Sequence, residues 1–349
     1  MNHGGDIYRN RIDMDFSVSL NPADIPQKIY DAIKEGVDNA GFYPDIEQES
    51  VRKCIGGYEG ISPECVFAGN GASELILAIT RALKPENVLL TEPGFSGYRY
   101  ALNGLHNCKT ETFYLKEDND FILTSDLSSR ISKDTDMIFL CDPWNPTGKN
   151  IDEDILLLIL EKAKESDTYV VLDQSFFHLS EKSLKGFDVK SMLERYDRLI
   201  VLRSMTKLLA LPGIRTGYVM ADCDIIKRIR KELPEWNLSV ISQEVIKAGI
   251  SLIYESDFID SSLSLIKKER AYLEDALSKL GFRVYDSDTN FILIESEHEL
   301  YEKLLSKNIL IRDLSDCPGL IKGFYRIAVK DHGSNRMLIE NIREILNGH

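Results

Sequence analysis

The sequence predicts an α/β protein, with a larger unit built on a mostly parallel central sheet and a smaller α+β unit beside it. Three observations carry this expectation. Five short apolar runs in the middle of the chain each end in turn or polar residues, helical patterns separate them, and beyond about residue 280 the pattern changes to three further runs among shorter helices. The middle runs span 87–91, 137–141, 169–173, 199–202 and 218–221. Between them, residues 72–83 place apolar side chains at 72, 76, 79 and 83, and 151–164 is a Leu/Ile-rich stretch of helical length. Both would cover sheet faces. Residues 239–280 continue the helical pattern with a break near Ser256. The smaller unit follows, with strands expected at 282–284, 290–295 and 325–329 and helices at 297–307 and 334–346. No internal repeat, low-complexity tract or Pro-rich linker interrupts the chain, so a helix is expected to cross between the units.

At 349 residues the chain is long enough for about two domains, and at this size ~75% of the unfolded surface is buried on folding. A composition of 43% hydrophobic and 28% charged residues excludes disordered, collagen-like and disulfide-scaffold classes. Forty-two basic against fifty-six acidic residues give a net charge of -14, which disfavours nucleic acid and anionic membranes as partners. The six cysteines, at 54, 65, 108, 141, 223 and 317, show no C-x-x-C and no zinc spacing. No metal site is expected, and scattered cysteines suit a reducing compartment. With neither a leader pattern nor an apolar run near the ~20 residues that span a bilayer, the expected location is the cytoplasm.

Ligands of open parallel sheets bind beyond the carboxyl ends of the strands, so polar residues just past each run are the first candidates. Asp173 ends Tyr-Val-Val-Leu-Asp, where a carboxylate must be paired to stay ionised; a helix N-cap would use it equally well. Asn145 sits in Asp-Pro-Trp-Asn-Pro-Thr-Gly, where prolines fix the backbone that aims the amide, although a plain turn has the same composition. Gly69-Asn70-Gly71-Ala72-Ser73 opens a helix and offers backbone N–H groups and a hydroxyl at its positive end. Ser204-Met-Thr-Lys207 follows the fourth run, with Arg215 eight residues on.

In combination these segments resemble the aminotransferase class I/II branch of fold-type I pyridoxal-phosphate enzymes, along most of the chain. The resemblance implies a large cofactor-binding domain at 39–250 and a small domain made of 1–38 and 251–349. It implies that Lys207 bonds covalently to the cofactor's aldehyde, which requires a neutral amine, and that Asp173 keeps the pyridine nitrogen protonated. Asn145 matches the residue that hydrogen-bonds the ring's phenolic oxygen, and Phe95 matches the aromatic that stacks on the ring. Gly71, Ala72, Ser73, Ser204 and Arg215 match phosphate-binding positions, where a planar guanidinium suits a dianion. Tyr43, in Gly-Phe-Tyr-Pro-Asp, matches a tyrosine that reaches the neighbouring subunit's cofactor, which implies a homodimer. Arg326, in a strand otherwise apolar, matches the arginine that holds a substrate carboxylate; without an anionic partner it is costly there.

Two further features resemble L-threonine-O-3-phosphate decarboxylases of corrinoid biosynthesis and the related histidinol-phosphate aminotransferases. The opening His3-Gly4-Gly5-Asp6, with Asp15-Phe16-Ser17 running on to Asn21-Pro22, is one; Arg312 in Leu-Ile-Arg-Asp is the other. His3, Gly4, Asn21, Arg312 and Arg326 are thereby implied as substrate contacts, and a phosphorylated amino acid as substrate. Ser19 and Asp173-Gln174-Ser175-Phe176 depart from the family pattern. Phe176 lacks the hydroxyl that many aminotransferases aim at the ring, which leans toward the decarboxylase. A dinucleotide-dependent dehydrogenase is disfavoured, because Gly69-Asn-Gly71-Ala-Ser lacks the third glycine and no acidic residue ends a strand about twenty residues later. A non-catalytic pyridoxal-phosphate-binding protein is the remaining alternative class.

Overall fold

The computed structural model describes residues 4–347. Its central sheet has seven strands: β1 (Val66–Gly69), β2 (Asn87–Glu92), β3 (Lys109–Tyr114), β4 (Met137–Cys141), β5 (Tyr169–Gln174), β6 (Leu199–Ser204) and β7 (Gly217–Ala221). Their spatial order is β1-β7-β6-β5-β4-β2-β3. β7 pairs antiparallel with both β1 and β6, and the remaining pairs are parallel. The sheet is therefore mixed by one reversed strand.

The inner strands read as unbroken apolar runs because both faces of the sheet are covered. Ile138 and Leu140 of β4 join one buried cluster while Met137 and Phe139 join the cluster on the opposite face, and β5 and β6 alternate in the same way. Each such side chain, fully buried, contributes roughly 1.5–3 kcal/mol. Helix Ala72–Leu83 has the expected bounds. Two strands lie outside the expected runs: β1 is the short, wholly buried Val-Phe-Ala-Gly, and β3 is an edge strand whose Lys-Thr-Glu start stays exposed.

The expected break near Ser256 separates helix Val240–Glu255 from helix Phe258–Lys279. A four-stranded antiparallel sheet follows, ordered β10-β11-β9-β8, from β8 (Arg283–Tyr285), β9 (Phe291–Glu295), β10 (Arg312–Asp313) and β11 (Phe324–Ala328). The N-terminal segment joins this half of the molecule. Met14–Asp15 pairs parallel with Ile309–Leu310, and Phe16 is fully buried among Leu277, Ile292 and Ile327.

The cysteine expectation needs correction, because Cys65 and Cys223 form a disulfide. Cys65 immediately precedes β1 and Cys223 follows β7, so the antiparallel β1–β7 pair brings together two residues 158 positions apart. Sequence spacing hid a proximity that strand pairing creates. Among the described residues, no helix is long and apolar enough to cross a membrane.

Candidate active site

β4, β5 and β6 end along one edge, with Cys141 opposite Asp173 and Gln174 opposite Arg203 in register. A cavity of about 240 Å³ opens there, closed on its far side by β10, β11 and residues 314–318. Lys207 enters it from a single helical turn, Met205–Leu208, directly after β6. The ammonium form is disfavoured: burial first, then the positive charges of Arg326 and Arg215, push the lysine down to about 8 against the opposing pull of Asp173. At neutral pH a usable fraction of the amine is thus unprotonated. The lysine's Nζ lies 5.8 Å over the Phe176 ring.

Asp173 is buried at the end of β5, and both of its oxygens are engaged. Oδ2 accepts from the Tyr98 hydroxyl at 2.8 Å; Oδ1 accepts from the Ser175 hydroxyl at 2.6 Å and the Ser175 amide at 3.0 Å. Burial raises this carboxyl, and Ser175, Tyr98 and Lys207 oppose the rise. Tyr98 and Ser175 escaped sequence reasoning. A signal existed for Tyr98, which lies three residues after Phe95 and so returns to the same side of helix Ser96–Leu102. The two rings meet edge to face with centroids 5.4 Å apart.

The helix that begins at Ala72 points its N-terminus into the same cavity, together with Gly71 and Ser73. Gly71 has φ +75, and a Cβ there would stand 3.0 Å from the Arg215 guanidinium, so only glycine leaves room for both the turn and the arginine. Arg215 is held by the carbonyls of Pro212 and Asn70. The Ser204 hydroxyl pairs with Thr206 at 2.7 Å, and both line the cavity. These groups converge an arginine, a hydroxyl pair and a helix N-terminus, which is a donor set for a phosphate.

On the opposite wall, Arg326 donates to Asn145 Oδ1 at 2.6 Å and to the Ser17 carbonyl at 2.9 Å, while its buried Nε has no hydrogen-bond partner. With Oδ1 engaged, the Asn145 amide is left to act through its N–H₂ end. Burial, then Arg312, bring Arg326 down to about 10. Gly4 also lines the cavity, packed so closely on Ser17 that a Cβ would lie 2.5 Å from the Ser17 carbonyl oxygen.

Among the described residues, two of those implied as site members do not line the cavity. Asn21 stands behind it, where its side chain donates to Leu208 and Ser262 and its amide donates to the Lys207 carbonyl at 2.9 Å. Its contact is with the lysine's own backbone turn. Tyr43 is 81% exposed and packs at a tilt against Trp236 instead, ring centroids 4.9 Å apart. His3 lies outside the described residues. Of the departures from the family pattern, Phe176 is buried edge to face against Phe291 at 5.0 Å, and the Ser19 hydroxyl is buried without a partner.

A desolvated lysine, a strand-ending carboxylate and a phosphate cradle at the carboxyl edge of this sheet define a fold-type I pyridoxal-phosphate enzyme. The donor set fits the cofactor: a cradle for its phosphate, a carboxylate for its ring nitrogen and an amine for its aldehyde. The chain belongs to the aminotransferase class I and II family, whose profile matches residues 11–342, and it is pyridoxal-phosphate dependent. It is 29% identical to the threonine-phosphate decarboxylase of Salmonella typhimurium, over 96% of this chain and 92% of that one. It is 33% identical to the adenosylcobalamin biosynthesis bifunctional protein CobDQ of Leptospira interrogans, over 96% of this chain and 39% of that protein. The crystal structure of the histidinol-phosphate aminotransferase from Clostridium acetobutylicum superimposes with a TM-score of 0.86 at 29% identity, covering 96% of this chain and all of that one.

Proposed function

We propose that the protein decarboxylates a phosphorylated amino acid, L-threonine-O-3-phosphate or O-phosphoserine, in corrinoid biosynthesis. One observation carries this reading: Arg312 on β10 and Arg326 on β11 are direct cross-strand partners, and both line the cavity. Two guanidiniums side by side suit a phosphate dianion better than a single carboxylate. When bound, the cofactor supplies an electron sink for the bond broken at the substrate's Cα.

The roles of the chain's own residues follow from their chemistry. Lys207 would carry the covalent link and move protons at Cα; Asp173, fixed by Tyr98 and Ser175, would hold a proton on the ring nitrogen. Asn145 would donate to the phenolic oxygen, Phe95 would cover the ring, and Ala72, Ser73, Ser204 and Arg215 would hold the phosphate. The anchoring of the substrate's anions by the cavity's own residues would choose between losing a proton and losing carbon dioxide at Cα. With the phosphate on Arg312 and Arg326, and His3 as a further ligand, the substrate's carboxylate would be left without an arginine to hold it.

We further infer a large domain at 39–250 and a small one formed by 1–38 and 251–349, a reading supported by the pairing of Met14–Asp15 with Ile309–Leu310. A homodimer is part of the same reading, with Tyr43 reaching the cofactor phosphate of the second subunit. So is a cytoplasmic location, although the Cys65–Cys223 bond removes its cysteine-based support.

The second reading, a histidinol-phosphate-type aminotransferase, is favoured by the likeness to the Clostridium acetobutylicum structure. Single-turnover product analysis with O-phospho-L-threonine, O-phospho-L-serine and histidinol phosphate separates the two. Carbon dioxide and a phosphorylated amine are expected from the first two substrates. Stoichiometric pyridoxamine phosphate from histidinol phosphate, with no amine released from the phospho-amino acids, would leave the aminotransferase.

A further inference from the structure

Arg312 and Arg326 directly oppose each other across β10 and β11, an arrangement in which like charges repel. The wall they form therefore calls for negative charge. Among the described residues lining the cavity, two are carboxylates, Asp173 and Asp316. Asp173 is committed to Tyr98 and Ser175 on the sheet side. Asp316 stands on the arginine side, its Oδ1 3.6 Å from Arg312 Nη2, with the aspartate side chain 37% exposed and the arginine 13% exposed. That separation exceeds a hydrogen bond, so the attraction is that of a counter-ion rather than a clamp.

The loop that carries Asp316 is anchored. Cys317 donates its amide to the Leu314 carbonyl at 2.9 Å, and Leu320 donates to the Cys317 carbonyl at 3.1 Å. Gly319 packs so closely on the Glu92-Pro93 peptide that a Cβ would stand 3.1 Å from Pro93 N. With its backbone fixed at the cavity, the Asp316 carboxylate remains within reach of any anion that binds Arg312.

We propose that Asp316 is an affinity-setting residue, an internal counter-ion that weakens the hold of Arg312 on the substrate's phosphate. The inference deepens the decarboxylase reading and rests on it for its purpose. Decarboxylation removes the carboxylate and leaves the phosphate on the product, so a wall that gripped phosphate at full strength would bind substrate and product alike and slow release. Binding of that uniform kind does not raise kcat. A nearby carboxylate repels a dianion about twice as strongly as a monoanion, so its removal benefits phosphate most.

The test uses the holoenzyme, in which the cofactor fills its own phosphate site. Dissociation constants are measured from the visible spectrum for inorganic phosphate and for L-threonine, which has a carboxylate and no phosphate. Asp316→Asn is expected to tighten phosphate about tenfold and L-threonine by less than about threefold, with Asp316→Glu restoring the original values. Asp316→Ser serves as a second variant in case the amide disturbs the turn. Unchanged or weaker phosphate binding in the folded variants, or an equal change for both ligands together with a lowered Tm, would overturn the proposal. Because the readout is phosphate binding, tightening without any turnover of phospho-amino acids would uphold Asp316's role while rejecting the decarboxylase reading.

Discussion

The lysine's chemistry depends on a neighbour from the other sheet. Lys207 is held at about 8 by burial and by the charges of Arg326 and Arg215. A cation removed from its surroundings favours the ammonium form, so Arg326→Gln raises the lysine's pKa. Cofactor uptake by the stripped protein requires the neutral amine and is expected to rise with pH through about 8 in the wild type. In the variant the midpoint moves upward, and a stopped-flow pH profile of the visible absorbance reads the shift. Reduction with borohydride should fix the cofactor on Lys207, and Lys207→Ala should abolish the reducible chromophore. Tyr98→Phe removes one of the donors that hold Asp173 ionised, at a cost of ~1–3 kcal/mol for a charge-assisted bond. Cofactor affinity should fall with it, as equilibrium dialysis would measure.

Behind the catalytic edge, β5, β6 and β7 are tied to helix Glu49–Glu59 by a buried polar group. Glu59 accepts from the Tyr218 hydroxyl at 2.6 Å and from Arg203 at 3.2 Å; Arg203 also donates to Gln174 and stacks on Phe177 at 3.5 Å. Arg203 and Gln174 immediately neighbour Ser204 and Asp173, so this group braces the strands whose ends form the site. Glu59→Ala would strand a buried guanidinium and is expected to cost about 3–5 kcal/mol, read as a lower urea midpoint at an unchanged m-value. The inner strands were legible in sequence because burial on both faces writes a continuous apolar run. β3 was not, since a half-exposed edge strand leaves no such run; β1, Val-Phe-Ala-Gly, carries a buried apolar run as short as that at 199–202 and was not picked out. Nor was the reversal of β7, because the direction of a strand is not written in its hydrophobicity.

Across the whole molecule, Phe42 and Tyr43 are adjacent exposed aromatics, 73% and 81% exposed, and Trp236 packs against Tyr43 with ring centroids 4.9 Å apart. A second copy covering them would account for Tyr43 lying away from its own chain's cavity. Sedimentation at micromolar concentration is expected to give a dimer of 39.7 kDa chains. Tyr43→Phe should remain dimeric and lose cofactor affinity several-fold; a monomer with full cofactor occupancy would count against the shared site.

The sequence by itself determined the class of fold, the inner strands, helix Ala72–Leu83 and most of the residues that line the cavity, because those residues occupy short contiguous motifs at strand ends. Lys207, Asp173, Asn145 and Arg215 are separated by strands and helices, yet the parallel register delivers their segments to one edge. What required the tertiary structure were relations between distant segments. Tyr98 reaches Asp173 from helix Ser96–Leu102, stacked on Phe139 of the neighbouring strand, Asn21 turns from the substrate to the backbone of Lys207, and Cys65 meets Cys223 across an antiparallel pair. Arg312 faces Arg326, with Asp316 beside them, only because β10 and β11 align in one register. Periodicity records which face of an element is buried; which residues of other elements meet that face is decided by packing.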